Sequence, residues 1–201
     1  EEPVANRVIF LLTTNKSMML STILSRTQIV EFPPLSADAF ADSLRQQHIS
    51  ENQITLLVGL TNSLDEAEQL VADDWLAHCQ HELSRWFTQL AKHDEMAFVT
   101  VQTGLMPLAH DRDHQAVILD VIVLLWQNTL QAKYLSDKSQ SDFPELQTTM
   151  AELARLLTRQ QLLVILTAVL NTKKALAGNM NIQSILETLT LQILADMKQK
   201  A

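Results

Sequence analysis

The chain has 201 residues, 47% of them apolar, with only three glycines and five prolines, which excludes a disordered or low-complexity protein and predicts a mostly helical one with a real core. Fifteen basic against 23 acidic residues leave a net charge of −8, the wrong sign for an autonomous duplex-binding surface. The single cysteine, Cys79, excludes an internal disulfide framework and suits a reducing compartment.

No charged start followed by an apolar core reads as a signal peptide. The longest apolar run, Ala116 to Trp126, is interrupted by Asp120 and is too short to cross a bilayer. The expected location is therefore the cytoplasm, with no membrane partner.

In chain order, Val8 to Leu12 is a β-branched and aliphatic run that reads as a strand buried on both faces. It ends in Thr13, Thr14 and Asn15, and polar residues at the carboxyl end of a parallel strand sit where α/β folds bind ligands. A short helical pattern follows, then a turn at Ser25, Arg26 and Thr27, then a second strand-like run from Ile29 to Phe32. Two strands and one helix cannot make a stable parallel sheet, because each strand leaves ladder groups without partners. Two outcomes stay open for residues before about Pro33: poor order, or pairing with another copy. No G-x-x-x-x-G-K-S/T phosphate loop occurs anywhere.

Pro33 and Pro34 mark a boundary. Ser36 is expected to cap a helix to about His48, carrying Phe40 and Leu44 inward. Ser50 with Gln53, and Ser63 with Glu66, are in capping-box register for two further helices, the first ending near Gly59. From Asp73 onward the pattern is purely helical. Trp75, Leu76, Cys79, Leu83, Trp86, Phe87 and Leu90 recur at helical spacing, and Met96 to Leu108 forms a shorter helix. Ala116 to Leu135 is apolar almost all round, as in the middle of a bundle. After a polar loop come helices over Glu145 to Leu157 and Thr158 to Leu176, the latter with Thr158 and Gln161 in capping-box register. Gly178 and Asn179 break the chain before a last amphipathic helix carrying Ile182, Ile185, Leu186, Leu189 and Ile193.

Little here looks like independent chemistry. His78, His81 and Glu82 share a helix face, but no companion Cys/His pair completes a zinc set, so no metal site is expected. No serine, cysteine or carboxylate pair sits in a recognisable catalytic context. Trp75, Trp86 and Trp126 lie among aliphatics and read as core.

One resemblance organises these features. The run from Val8 through Gln28 resembles the sensor-1 and arginine-finger segment of AAA+ clamp-loader subunits, above all the delta-prime family of bacterial DNA polymerase III. Glu1, Glu2 and Pro3 look like the end of that family's "LEEP" helix, and Thr22 to Arg26 fits its "TI-x-SR" turn, with Thr27 where cysteine is usual, a change expected only to vary a packing position. Asn179 to Leu191 is similar to the "N-x-N…LE-x-L" helix that closes such chains. The resemblance implies a C-terminal remnant of an AAA+ α/β core over 1–33, a small three-helix lid over 34–72 and an all-α helical collar over 73–201. The phosphate loop and zinc module would then lie upstream of this fragment.

The resemblance also assigns roles. Arg26, preceded by Ser25, is the arginine finger, which would reach the ATP of a neighbouring motor subunit in trans. Thr14 and Asn15 occupy the sensor-1 position, as a nucleotide contact or as a structural remnant. ATP-using relatives carry an arginine near the start of the third lid helix where this chain has Glu66, and a carboxylate facing a triphosphate is repulsive. The expectation is a stator with no cofactor and no catalysis of its own, one component of a DNA polymerase holoenzyme. Its implied partners are gamma/tau and delta subunits, with the sliding clamp and primer-template DNA reached through the assembled complex. A gamma/tau-type ATPase subunit and a stand-alone helical interaction module are the alternatives.

Overall fold

A computed structural model describes residues 8–13, 19–32, 35–134 and 142–198. The chain divides into two units, Glu1–Pro34 and Leu35–Ala201. The fold is mostly α, with ten α-helices and no strand among the described residues.

Among the described residues of the first unit the only regular element is α1, the single turn Ser21–Leu24. The strands expected at Val8 to Leu12 and Ile29 to Phe32 do not form, and their side chains are exposed instead of buried on both faces. The reason is physical. A strand satisfies its backbone only through neighbouring strands, and the described residues supply none.

The second unit begins with three short helices: α2 (Ala37–Gln46), α3 (Glu51–Leu60) and α4 (Leu64–Val71). Ser36 caps α2 as expected, its Oγ accepting from Ala39 N at 3.3 Å. One local reading is corrected. Ser50 donates its hydroxyl to Gln53 Oε1 at 2.8 Å and makes no backbone cap, so that box is not formed. Helix α3 ends at Leu60, one residue past Gly59 and close to its expected end. A Cβ at Gly59 would sit 3.1 Å from Leu124 Cδ1, so the missing side chain eases the approach of α3 to α7.

Asp73 and Asp74, both left-handed with φ of 56° and 55°, turn the chain out of α4. Helix α5 (Trp75–Ala91) then buries every residue of the predicted stripe. Two of the three tryptophans pair their donors, while Trp126 Nε1 is buried without a hydrogen-bond partner among the described residues. Trp75 Nε1 donates to Leu108 O at 3.0 Å and Trp86 Nε1 to Thr190 Oγ1 at 3.1 Å. Trp126 meets the Phe87 ring edge-on at 5.5 Å. The expected helix at 96–108 is α6 (Met96–Thr100) followed by a π turn, Val101–Leu105, and a 3₁₀ turn, Met106–Leu108. Pro107 cannot donate the α-type bond, which is one cause of the change in winding. A Cβ at Gly104 would meet the carboxylate end of the flexible Glu82 side chain, which would have to shift to make room for it.

Helix α7 (Arg112–Tyr134) runs through the middle of the bundle with buried residues on most of its faces. Helices α8 (Gln147–Leu156), α9 (Arg159–Ala177) and α10 (Ile182–Lys198) complete it. The Thr158–Gln161 capping box of α9 is present in both halves. Lys133 Nζ donates to Ala154 O and Leu157 O, both at 2.6 Å, placing a cation on the carbonyl end of α8. One apolar cluster runs from Phe40 to Met197, so the 34–72 and 73–201 segments contribute to a common core.

Candidate functional site: the turn at Arg26

Helix α1 is too short to hold itself together by its own ladder, and hydroxyls supply what the backbone cannot. Ser25 ends it, with φ −70° and ψ −16°, and its Oγ donates to Thr22 O at 3.2 Å. Arg26 N donates to Ile23 O at 3.1 Å. Thr27 Oγ1 donates to Ile23 O at 3.0 Å, and Leu24 O lies at 3.5 Å from the same hydroxyl. Two hydroxyls on either side of Arg26 thus close the turn on the carbonyl end of α1.

Arg26 itself is exposed, and its guanidinium makes no hydrogen bond or ion pair among the described residues. Compare Arg45, whose Nε donates to Glu51 at 2.8 Å and whose Nη1 donates to Asp42 at 2.7 Å. Those contacts hold the Glu51 carboxyl below its usual range, mainly through the Arg45 hydrogen bond. Arg26 leaves all five N–H donors without a partner among the described residues.

Thr27 corrects a reading from sequence. Treated as a packing position that varies from cysteine, it is exposed, and its hydroxyl is a working part of the turn. A thiol is a weaker donor. Thr14 and Asn15, the sensor-1 positions, lie outside the described residues, so no geometry joins them to Arg26.

In the second unit, Glu66 is used locally, though not as a capping-box return. Ser63 Oγ accepts from Glu66 N at 3.4 Å, the Glu66 carboxylate accepts from the Thr61 hydroxyl, and Thr61 Oγ1 accepts from Ser63 N at 3.0 Å. Thr61 is the relay that sequence spacing alone missed. The tail motif also has a local explanation. Asn179 takes the left-handed position after α9 at φ 63°, and its side-chain oxygen accepts from Arg112. Asn181 caps α10, its Oδ1 accepting from Gln183 N at 2.8 Å.

Cys79 is buried in the core, and desolvation pushes its thiol up to about 12, so it remains protonated and is neither nucleophile nor metal ligand at neutral pH. Among the described residues no three His, Cys, Asp or Glu side chains are grouped to hold a metal ion. None of the described helices is long and apolar enough to cross a membrane.

Two comparisons with known proteins return DNA polymerase III subunits. Residues 1–36 match the family described as DNA polymerase III, delta subunit. Over 193 residues, 96% of the chain, the sequence is 29% identical to the DNA polymerase III subunit delta' of Bacillus subtilis (strain 168). The chain spans 58% of that relative's length. No solved structure matches.

Proposed function

From a chain that is delta-prime-like along nearly its whole length, we propose a clamp-loader subunit that works as a stator and lends Arg26 to the ATP site of a neighbouring motor subunit. The observation that carries the reading is a similarity to a delta-prime subunit that continues through both units. The free, exposed guanidinium of Arg26, on a turn closed by Ser25 and Thr27, supports the finger role.

Phosphoryl transfer needs positive charge where the γ-phosphate oxygens gain negative charge, and an arginine supplied in trans contributes about 10³–10⁵ in rate. Ser25 acts on that chemistry indirectly, by holding the turn from which the guanidinium projects. Thr14 and Asn15 belong to the same proposal as the sensor-1 positions. Glu66, committed to Thr61, supplies no cation to a nucleotide, which fits a subunit that does not burn ATP itself. The segment 73–201 is proposed as the collar, joining gamma/tau and delta subunits, with the sliding clamp and primer-template DNA met only through the assembly. A cytoplasmic location follows from that role.

The test is Arg26→Ala in the full-length subunit, reconstituted with gamma/tau, delta and the clamp. DNA-stimulated ATP hydrolysis at the site facing it is expected to fall by about 10³ or more while the complex still assembles. Arg26→Lys should recover little, because a point charge does not reproduce the planar fork. Unchanged hydrolysis in an intact complex removes the finger role.

A further inference from the structure

The face of α9 turned away from the core carries a feature that core packing does not use. Gln160, Leu163, Thr167, Leu170 and Lys174 follow one another at spacings of three and four, the seam pattern of a helix that meets another helix. Leu163 and Leu170 remain 43% and 45% exposed. Beside this seam a groove of about 540 Å³ runs over Leu163, Val164 and Ala168, with Gln192 of α10 on its other wall. The opposite face of the same helix, with Leu162, Ile165, Val169 and Leu176, is the one that is buried.

Charge identifies what the groove accepts. In a protein of net charge −8, α9 contains no acidic residue at all, and no residue lining the groove is a carboxylate. Arg159, at the groove's edge, and Lys174, in the last turn of the helix, stand near the two ends of α9, and neither has an ion-pair partner among the described residues. The third cation, Lys173, is spent on Asp120. On α10, Glu187 is held by Gln102 at 3.0 Å and Gln183 at 2.8 Å, while Asp196, whose backbone carbonyl accepts from Gln161, has one carboxylate oxygen buried without a partner.

We infer that the α9 groove is a docking surface for an amphipathic helix of another protein, one that brings aliphatic residues to the seam and carboxylates to its flanks. A second copy of this chain is the wrong occupant. A two-fold contact through this face would set cation against cation, each like residue on its own image in a parallel pair and Arg159 on Lys174 in an antiparallel one. The inference rests on the clamp-loader reading only for the expectation that a partner exists. The face and the chemistry of its occupant come from exposure, spacing and charge.

Two synthetic 21-residue helical probes test it, each with leucine at the seam positions, one flanked by glutamate and its twin by lysine. Binding to the whole chain is read by fluorescence anisotropy. The glutamate probe is expected to bind at least tenfold more tightly than the lysine probe. Leu163→Glu with Leu170→Glu should abolish binding, and Arg159→Glu with Lys174→Glu should reverse the preference. All four positions are solvent-facing, so an unchanged circular dichroism melt certifies the fold of each variant. Equal affinity for both probes, no binding, or self-association lost in the charge-reversed variant overturns the proposal. Retention of the Leu163→Glu, Leu170→Glu subunit in a complete clamp-loader complex would overturn it too, while leaving the stator reading intact. Failure of the unmodified subunit to join any complex removes the stator reading and leaves the probe result standing.

Discussion

Residues 8–32 and the helical unit are made of much the same apolar side chains and use them in opposite ways. Val8, Phe10 and Leu12 are 78%, 85% and 92% exposed, whereas Phe40, Leu44, Trp86 and Leu125 are fully buried. The difference lies in where each secondary structure finds its hydrogen bonds. A helix closes its own ladder and needs a neighbour only for its apolar stripe, which the bundle supplies within one stretch of chain. A strand borrows its ladder from other strands. The helical unit is thus self-sufficient, while the aliphatic run at Val8 has a composition suited to a sheet that the described residues do not contain.

The largest effect that sharpens this contrast comes from paired truncations. Trp86→Ala removes a fully buried ring and leaves Thr190 without its indole donor, and should cost about 3–5 kcal/mol in urea unfolding of the chain. Phe10→Ala, removing a similarly large ring from an exposed position, should change the same midpoint by less than about 0.5 kcal/mol. If Phe10→Ala destabilises as strongly as Trp86→Ala, the first segment has a packed environment and the contrast fails.

Legibility followed the same division. The stripes of α5 and α10, the near-continuous burial of α7 and the Thr158–Gln161 box could be read from spacing, because each depends on residues within a few positions of one another. Gly59 was legible only in part. The helix does stop one residue beyond it, but the close approach of Leu124, 65 positions away, is invisible to local rules. Glu66 was misassigned for a related reason, since its partner Thr61 precedes the cap that spacing rules consider. At the candidate site the arginine was legible through a resemblance, and its freedom from partners was not. The hydroxyl of Thr27, read as a packing variant, needed coordinates to appear as a donor.

Gly59 offers an intermediate test, one that probes how firmly the short helices are joined to the bundle. Gly59→Val places branched carbons where Leu124 Cδ1 already stands 3.1 Å from an ideal Cβ. The expected cost is about 1–3 kcal/mol, and it must exceed the small gain that valine's better helix propensity brings over glycine. Shortening the opposing side chain with Leu124→Ala in the same molecule should recover part of it, as a double-mutant cycle would record. Full additivity would mean that α3 and α7 do not meet at this point.

The smallest effect is one of pH, and it belongs to the helical unit's surface. The Asp111 carboxyl at the start of α7 is held below its usual range, first by the backbone N–H of His114 and then by the His114 ring, whose Nδ1 lies 2.8 Å away. Gln183 and Gln102 lower Glu187 in the same way. A carboxyl whose folded value is depressed contributes its stability in full above the unfolded value, about 3.9 for Asp and 4.3 for Glu, and loses it as pH falls through the folded value. The melting temperature should therefore hold steady down to about pH 5 and decline below about pH 4. Asp111→Asn keeps an oxygen for the His114 N–H and discards the charge. That variant should melt slightly below the parent at pH 6 and coincide with it near pH 3. A gap that stays constant over the whole range would mean that the amide's shape, and not the carboxylate's ionisation, accounts for the difference, and Asp111 would then be an ordinary neutral cap on a helix stabilised elsewhere.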